Sequence, residues 1–150
     1  MIQIRPANKE EFEAIAAFQM KMALETENLR LDEKTVREGV QSALQDPAKG
    51  KYFVGEEKGK IISSLLVTYE WSDWRNKWVL WIQSVYVLPE YRKQGVFKQM
   101  YQKVKEWAEQ DKNISGIRLY VDKTNQRAIE VYKQVGMNGE HYQLFEWMIE

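Results

Sequence analysis

Residues 84–100 read SVYVLPEYRKQGVFKQM, and how they fold decides the architecture of the chain. The stretch begins inside a longer run, KWVLWIQSVYVL over 77–88, whose apolar residues fall on both parities. Trp78, Leu80 and Ile82 share one, and Val79, Trp81 and Val85 the other. A strand apolar on both faces is covered on both, so this is a central strand. Pro89 ends it, and a helix is expected over about 95–110. Arg92, Lys93 and Lys98 then surround a helix start, which already carries unpaired N–H groups and partial positive charge. Cations there are locally unfavourable by roughly 0.3–1 kcal/mol each. They make sense if a phosphate sits at the turn, with Gly95 letting the backbone come close. The other reading is that Gly95 is an ordinary turn residue and the cations are solvated surface.

Working outward on the N-terminal side, Ile2 and Ile4 alternate with polar neighbours in a short strand ended by Pro6. Asn8 and Glu11 have capping-box spacing, and Phe12, Ile15, Gln19 and Met22 form one helical stripe behind them. A second helix starts after Asp32, with Val36, Val40, Ala43 and Leu44 on one face, and stops by Asp46-Pro47. KYFVGEE (51–57) and KIISSLLVTYEW (60–71) read as a hairpin turning at Lys58-Gly59, and the loop WSDWRN leads to the central strand. On the C-terminal side, GIRLYVD (116–122) is a strand, 125–135 a short helix with Gly136 at its C-cap, and HYQLFEWMIE (141–150) one or two closing strands. The result is an α/β (α+β) fold: a mixed, mostly antiparallel central sheet with helices on both faces, in one domain over 1–150.

Composition narrows the chemistry. Among 150 residues, 22 Lys plus Arg balance 22 Asp plus Glu, where a general nucleic-acid or anionic-membrane binder would carry a basic surplus. There is no cysteine, which removes thiol nucleophiles, thiolate metal sites and disulfides together. His141 is the single histidine, so His-pair metal motifs are absent and a Ser-His-Asp triad is a poor fit. It is expected to be a surface or packing residue, and no metal is expected. The start, MIQIRPANKEEFEAI, has no apolar core of the signal-peptide kind, and no run approaches 18 apolar residues. A cytoplasmic domain that touches neither membrane nor nucleic acid is expected.

The central strand followed by V-x-P-x-x-R-x-x-G-x-F, a helix, a strand and N-x-x-A-x-x-x-Y-x-x-x-G-M resembles the GNAT superfamily of N-acetyltransferases. The resemblance is close over about 78–137, and the order of flanking elements extends it along the chain. Where the family has a small residue two places after the glycine, this sequence has Phe97. The resemblance implies an acetyl-CoA-dependent enzyme acting by direct attack of a neutral amine in a ternary complex. It also implies that the backbone of Val85, Tyr86 and Val87 pairs with the pantetheine arm, and an N–H of Val85 or Val87 holds the thioester oxygen. Amides of Gln94, Gly95, Val96, Phe97 and Lys98 would cradle the pyrophosphate, with the Arg92 and Lys93 side chains nearby. Asn125 matches the helix-start asparagine, and Tyr132 the tyrosine that protonates the leaving thiolate. Seven residues, about two turns, separate that pair, so they share one face. Tyr132 is either this general acid or a plain core tyrosine with a satisfied hydroxyl.

A carboxylate or a water chain must deprotonate the amine; Glu70 is the first candidate, with Glu25 and Glu146 behind it, though any one of these also reads as a solvated charge. An acceptor pocket is expected from two segments, ALETENLRL (23–31) and EWSDWRNKW (70–78). They set Glu25, Glu27, Glu70 and Asp73 beside Trp71, Trp74 and Trp78, and carboxylates with aromatic faces suit an ammonium ligand. The tryptophans alternatively fill the core or an interface, and a homodimer is one option. Two readings compete with the amine acetyltransferase. One is a non-catalytic acyl-CoA-binding sensor acting through a protein partner; the other is a structural interaction protein using the tryptophan-rich hairpin.

Overall fold

A computed structural model describes residues 1–149; Glu150, the end of the expected closing strand, lies outside the described residues. The chain divides into two compact units, 1–118 and 119–150. In the first, β1 (Gln3–Pro6) leads through a single 3-10 turn (Lys9–Glu11) into α1 (Phe12–Glu27) and α2 (Glu33–Gln45). Then come β2 (Lys51–Glu57), β3 (Lys60–Ser72), β4 (Lys77–Val87), α3 (Val96–Gln110) and β5 (Ile114–Arg118). The sheet order is β1-β2-β3-β4-β5, every pairing antiparallel except the parallel β4–β5 pair. β4 is therefore an interior strand, as its two apolar parities require.

Local chemistry explains the element ends. The Asn8 N–H donates to Glu11 Oε1 at 2.8 Å, closing the first turn, and Arg5 ties Glu11 to Glu56 across β1 and β2. The Asp32 carboxylate accepts from the Thr35 N–H at 3.0 Å and so caps α2. Lys58 and Gly59 both have positive φ (51° and 79°), as a tight hairpin turn demands.

Parity sorts the core. Tyr52 and Val54 of β2 pack with Ile15 and Ala16 of α1 and Val40 and Ala43 of α2. The intervening Phe53 faces the opposite side, where its ring lies 6.1 Å from that of Trp107 on α3. Ser63, on the same side, donates to the Met100 sulfur of α3 at 3.4 Å. Helices thus cover both faces of the sheet.

The second unit holds α4 (Gln126–Gln134), capped by Asn125, whose side-chain oxygen accepts from the Ala128 N–H at 3.1 Å. Two expectations shift. The strand predicted over 116–122 is found at Ile114–Arg118, because its pairing with β4 begins at Trp78↔Ile114. Of the strands predicted over 141–150, none is found among the described residues 141–149, where 142–149 follow no regular pattern. Among the described residues no helix is long and apolar enough to cross a membrane.

Candidate functional site: the end of β4 and the turn into α3

β4 is not regular along its length. On β3, Leu65 alone stands opposite two β4 residues, Ser84 and Val85, and Ser84 takes a left-handed backbone with φ 55°. This is a β-bulge, which bends a strand and re-aims the residues beyond it. Pairing with β5 has by then ended, at Trp81↔Arg118. The Leu88 N–H donates to Ile62 O at 2.9 Å. Because antiparallel bonding alternates residue by residue, the N–H and C=O of Val87 point to the other edge, away from β3. The Val87 carbonyl accepts from Arg92 Nε at 2.8 Å, which leaves its N–H aimed along that edge.

The chain then makes a 3-10 turn at Pro89–Tyr91 and enters α3 through two left-handed residues, Lys93 (φ 63°) and Gly95 (φ 76°). Left-handed residues next to a helix start are the backbone feature from which anion-binding nests are built. The first bond back into the helix is Gln99 N–H to Gly95 O at 3.1 Å, so the amides of Gly95, Val96 and Lys98 precede the helical ladder. A Cβ on Gly95 would meet nothing within 4 Å; its left-handed φ, and not crowding, is what calls for glycine. Lys93 and Lys98 are exposed, and Gln94 Nε2 donates to Glu90 O at 3.0 Å. Phe97 stacks on Tyr101 with centroids 6.1 Å apart and planes 8° from parallel, so the bulky ring lies along the helix.

Arg92 and Glu25 meet each other. Arg92 Nη2 donates to Glu25 Oε2 at 2.8 Å, while the Tyr86 hydroxyl donates to Glu25 Oε1 at 3.0 Å. Burial works against the Glu25 charge, but the bonds from Arg92 and Tyr86 outweigh it and hold the carboxyl below its ordinary value. Burial and the Glu25 carboxylate together raise the Tyr86 hydroxyl.

Beside the bulge lies an open cleft of about 380 Å³ between α1, α2 and β2. Glu27 and Thr26 of α1 stand in its wall with the apolar Met22, Leu31 and Val40, and Tyr52 and Ser84 also line it. Burial pushes the Tyr52 hydroxyl up to about 12, so it stays protonated and can donate. Tyr52, Ser84 and Gln19, which also lines the cleft, were not expected at a site by sequence reasoning. Tyr52 carried a signal, since it shares parity with Val54; the backbone of Ser84 carried none.

The other expected acceptor segment sits elsewhere. Trp71 faces Trp78 across the β3–β4 pair, and from Trp78 to Ser84 the strand runs six residues, about 20 Å. Trp71 and Trp78 contact edge to face with centroids 4.9 Å apart, and Trp74 in the turn is 90% exposed. Glu70 accepts from Trp81 Nε1 at 3.1 Å and from Arg118. Burial disfavours its charge, yet those bonds and the charges of Arg118 and Arg75 prevail, and its carboxyl lies below the ordinary value. A carboxylate so held is a weaker proton acceptor. In the second unit, Tyr132 is half-buried in α4, and burial raises its hydroxyl. Glu146 falls in the irregular stretch.

Comparison with known proteins gives this geometry a context. The model of the acetyltransferase (GNAT) family matches residues 11–137. A thialysine N-epsilon-acetyltransferase of Bos taurus is 36% identical over 83 residues, 55% of this chain and 48% of that protein. The chain therefore aligns with about half the length of the curated relatives it matches. The crystal structure of a possible acetyltransferase from Clostridium difficile 630 superposes with a TM-score of 0.92 at 41% identity, covering 100% of this chain and 99% of the other. A predicted acetyltransferase with acetyl-CoA from Clostridium acetobutylicum shares the fold at a TM-score of 0.75 and 19% identity, covering 97% and 96% of the two chains.

Proposed function

The chain belongs to the acetyltransferase (GNAT) family, and we propose on that premise that it moves the acetyl group of acetyl-CoA to a primary amine by direct attack in a ternary complex. The observation that carries this reading is the turn into α3, where Lys93 and Gly95 are left-handed immediately before the helix start. A diphosphate there meets backbone donors, the positive helix end and the Lys93 and Lys98 ammonium groups together. The open edge of β4 at Val87 presents an N–H to an extended amide-bearing arm, as an added strand does.

In the cleft beside the bulge, the Glu27 carboxylate pairs with the ammonium group of the acceptor, and Met22, Leu31 and Val40 cover its aliphatic part. The curated relatives are named thialysine N-epsilon-acetyltransferases, so the group in their name is likewise an amine. The acceptor gives up one proton to water at the mouth of the open cleft, and its neutral nitrogen attacks the thioester carbon. The nitrogen–carbon bond forms as the carbon–sulfur bond breaks, the carbonyl oxygen leaning on a β4 backbone N–H. By the family resemblance, the Tyr132 hydroxyl gives the departing thiolate its proton and regains one, through water, from the second N–H of the attacking nitrogen, which leaves a neutral amide.

Thermal melting with and without acetyl-CoA is the first test. Ligand at 100 times its dissociation constant adds about 2.7 kcal/mol, which at roughly 2–4 °C per kcal/mol raises the midpoint by several degrees. A thiol-release assay over a panel of amines comes second. A folded protein whose midpoint does not move with acetyl-CoA refutes the reading, and a rise with no thiol release on any amine refutes the catalytic part.

A further inference from the structure

We infer that Glu25 is a positioning residue for the turn into α3, acting through Arg92 and touching neither ligand. The inference rests on the proposed function for what that turn holds, but its geometry is independent of it. Arg92 has an extended backbone (φ −72°, ψ 156°) and is the last residue before the two left-handed positions. Its guanidinium reaches back five residues to the Val87 carbonyl at 2.8 Å and across to Glu25 at 2.8 Å. It also lies 5.3 Å from the centre of the Tyr86 ring. One planar fork thus ties the end of β4 to the start of the turn and to the last turn of α1.

Glu25 is fixed in its own right. One oxygen takes the Tyr86 hydroxyl and the other takes Arg92, so both are committed. Tyr86 is buried, with its ring 5.2 Å from that of Phe18 on α1. The carboxylate is thus anchored to the Tyr86 of that packed pair, and Arg92 to the carboxylate. The neighbours Thr26 and Glu27 line the cleft and Glu25 does not. Its carboxylate faces the turn, so the end of α1 serves one ligand through Glu27 and the other through Glu25.

The guanidinium has a second consequence. By occupying the Val87 carbonyl, Arg92 leaves that residue's N–H as the polar group offered on the outer edge of β4. A lysine cannot replace this, because a single ammonium on a flexible stem does not hold Val87 and Glu25 in one fixed plane.

The experiment uses the whole chain with Glu25→Gln and Arg92→Lys. It reads coenzyme A affinity by calorimetry, acceptor KM, and amide exchange over residues 92–98 in the free protein. Both variants should raise the coenzyme A dissociation constant about fivefold, roughly 1 kcal/mol, the upper end for an ion pair this exposed. Exchange over 92–98 should quicken severalfold while that of α2 stays as in the unmodified protein, which also shows that the variants fold. Acceptor KM should change less than about twofold. Unchanged exchange over 92–98 in Glu25→Gln overturns the inference. So does a rise in acceptor KM with coenzyme A affinity intact, which makes Glu25 an acceptor ligand. If the unmodified protein binds no coenzyme A, the proposed function fails, and exchange over 92–98 still decides the role of Glu25.

Discussion

The two ends of β4 make an instructive pair. At one end the hairpin with Trp71, Trp74, Trp78 and Glu70 has side chains suited to an ammonium ligand, yet Glu70 is taken up by Trp81 and Arg118, Trp71 and Trp78 pack on each other, and Trp74 is 90% exposed. At the other end, about 20 Å away, the composition is plainer, but the backbone is unusual: left-handed at Ser84, Lys93 and Gly95, with an edge that β5 does not reach. Rich side-chain chemistry drew in its own partners, whereas irregular backbone left polar groups available to something else. The hairpin has a left-handed residue too, Asn76 at φ 54°, but there it only closes the turn between β3 and β4.

Substitutions can break this contrast, and the largest effect is expected outside either end. Tyr132→Phe removes the proposed acid and should lower turnover about a hundredfold or more while coenzyme A affinity holds. An acid works in its protonated form, and burial raises this hydroxyl, so turnover should persist past the ordinary tyrosine value of 10.0 and fall only above it. A kcat profile declining well below pH 10 would assign the acid elsewhere. At the turn, Gly95→Val forces a β-branched residue into the left-handed region, at a cost of roughly 1–2 kcal/mol or more. Coenzyme A affinity should drop about tenfold to a hundredfold as one amide–phosphate bond is lost. Gly95→Asn, which tolerates that conformation, should lose less. In the cleft, Glu27→Gln should raise acceptor KM about two- to fivefold, the range of a partly exposed ion pair, and leave coenzyme A binding alone. At the hairpin, Trp74→Ala should alter stability by no more than about 0.5 kcal/mol and neither affinity by more than about twofold. A larger loss of acceptor binding from Trp74→Ala would return the hairpin to the site.

How much was legible in the sequence depends on the range of each interaction. The double parity of 77–88, the spacing of Asn8 with Glu11, the Asp32 cap and the Lys58-Gly59 turn are settled within a few residues, and all appear where their patterns put them. Arg92 and Glu25 were both legible as candidates but were expected to serve different ligands, because 67 residues separate them and nothing local records that they meet. Glu27 was expected with Trp71 and Trp74 in one pocket; the structure sets Glu27 in the cleft and the tryptophans at the far end of β4. The register of Trp71 opposite Trp78 makes that separation unavoidable.

Apart from the strands expected over 141–150, the sequence by itself determined the element types, the central place of β4 and the glycine-bearing turn into α3. Each comes from backbone preference and from whether a side chain is apolar at period 2 or 3.6. Only the tertiary structure decided that the strand bulges at Ser84, that Arg92 turns back to Val87 and Glu25, and that Glu70 is held by Trp81 and Arg118. Those outcomes are pairings between residues distant along the chain. Which partner a charged group finds depends on the register and crossing of whole elements, and no local pattern encodes that.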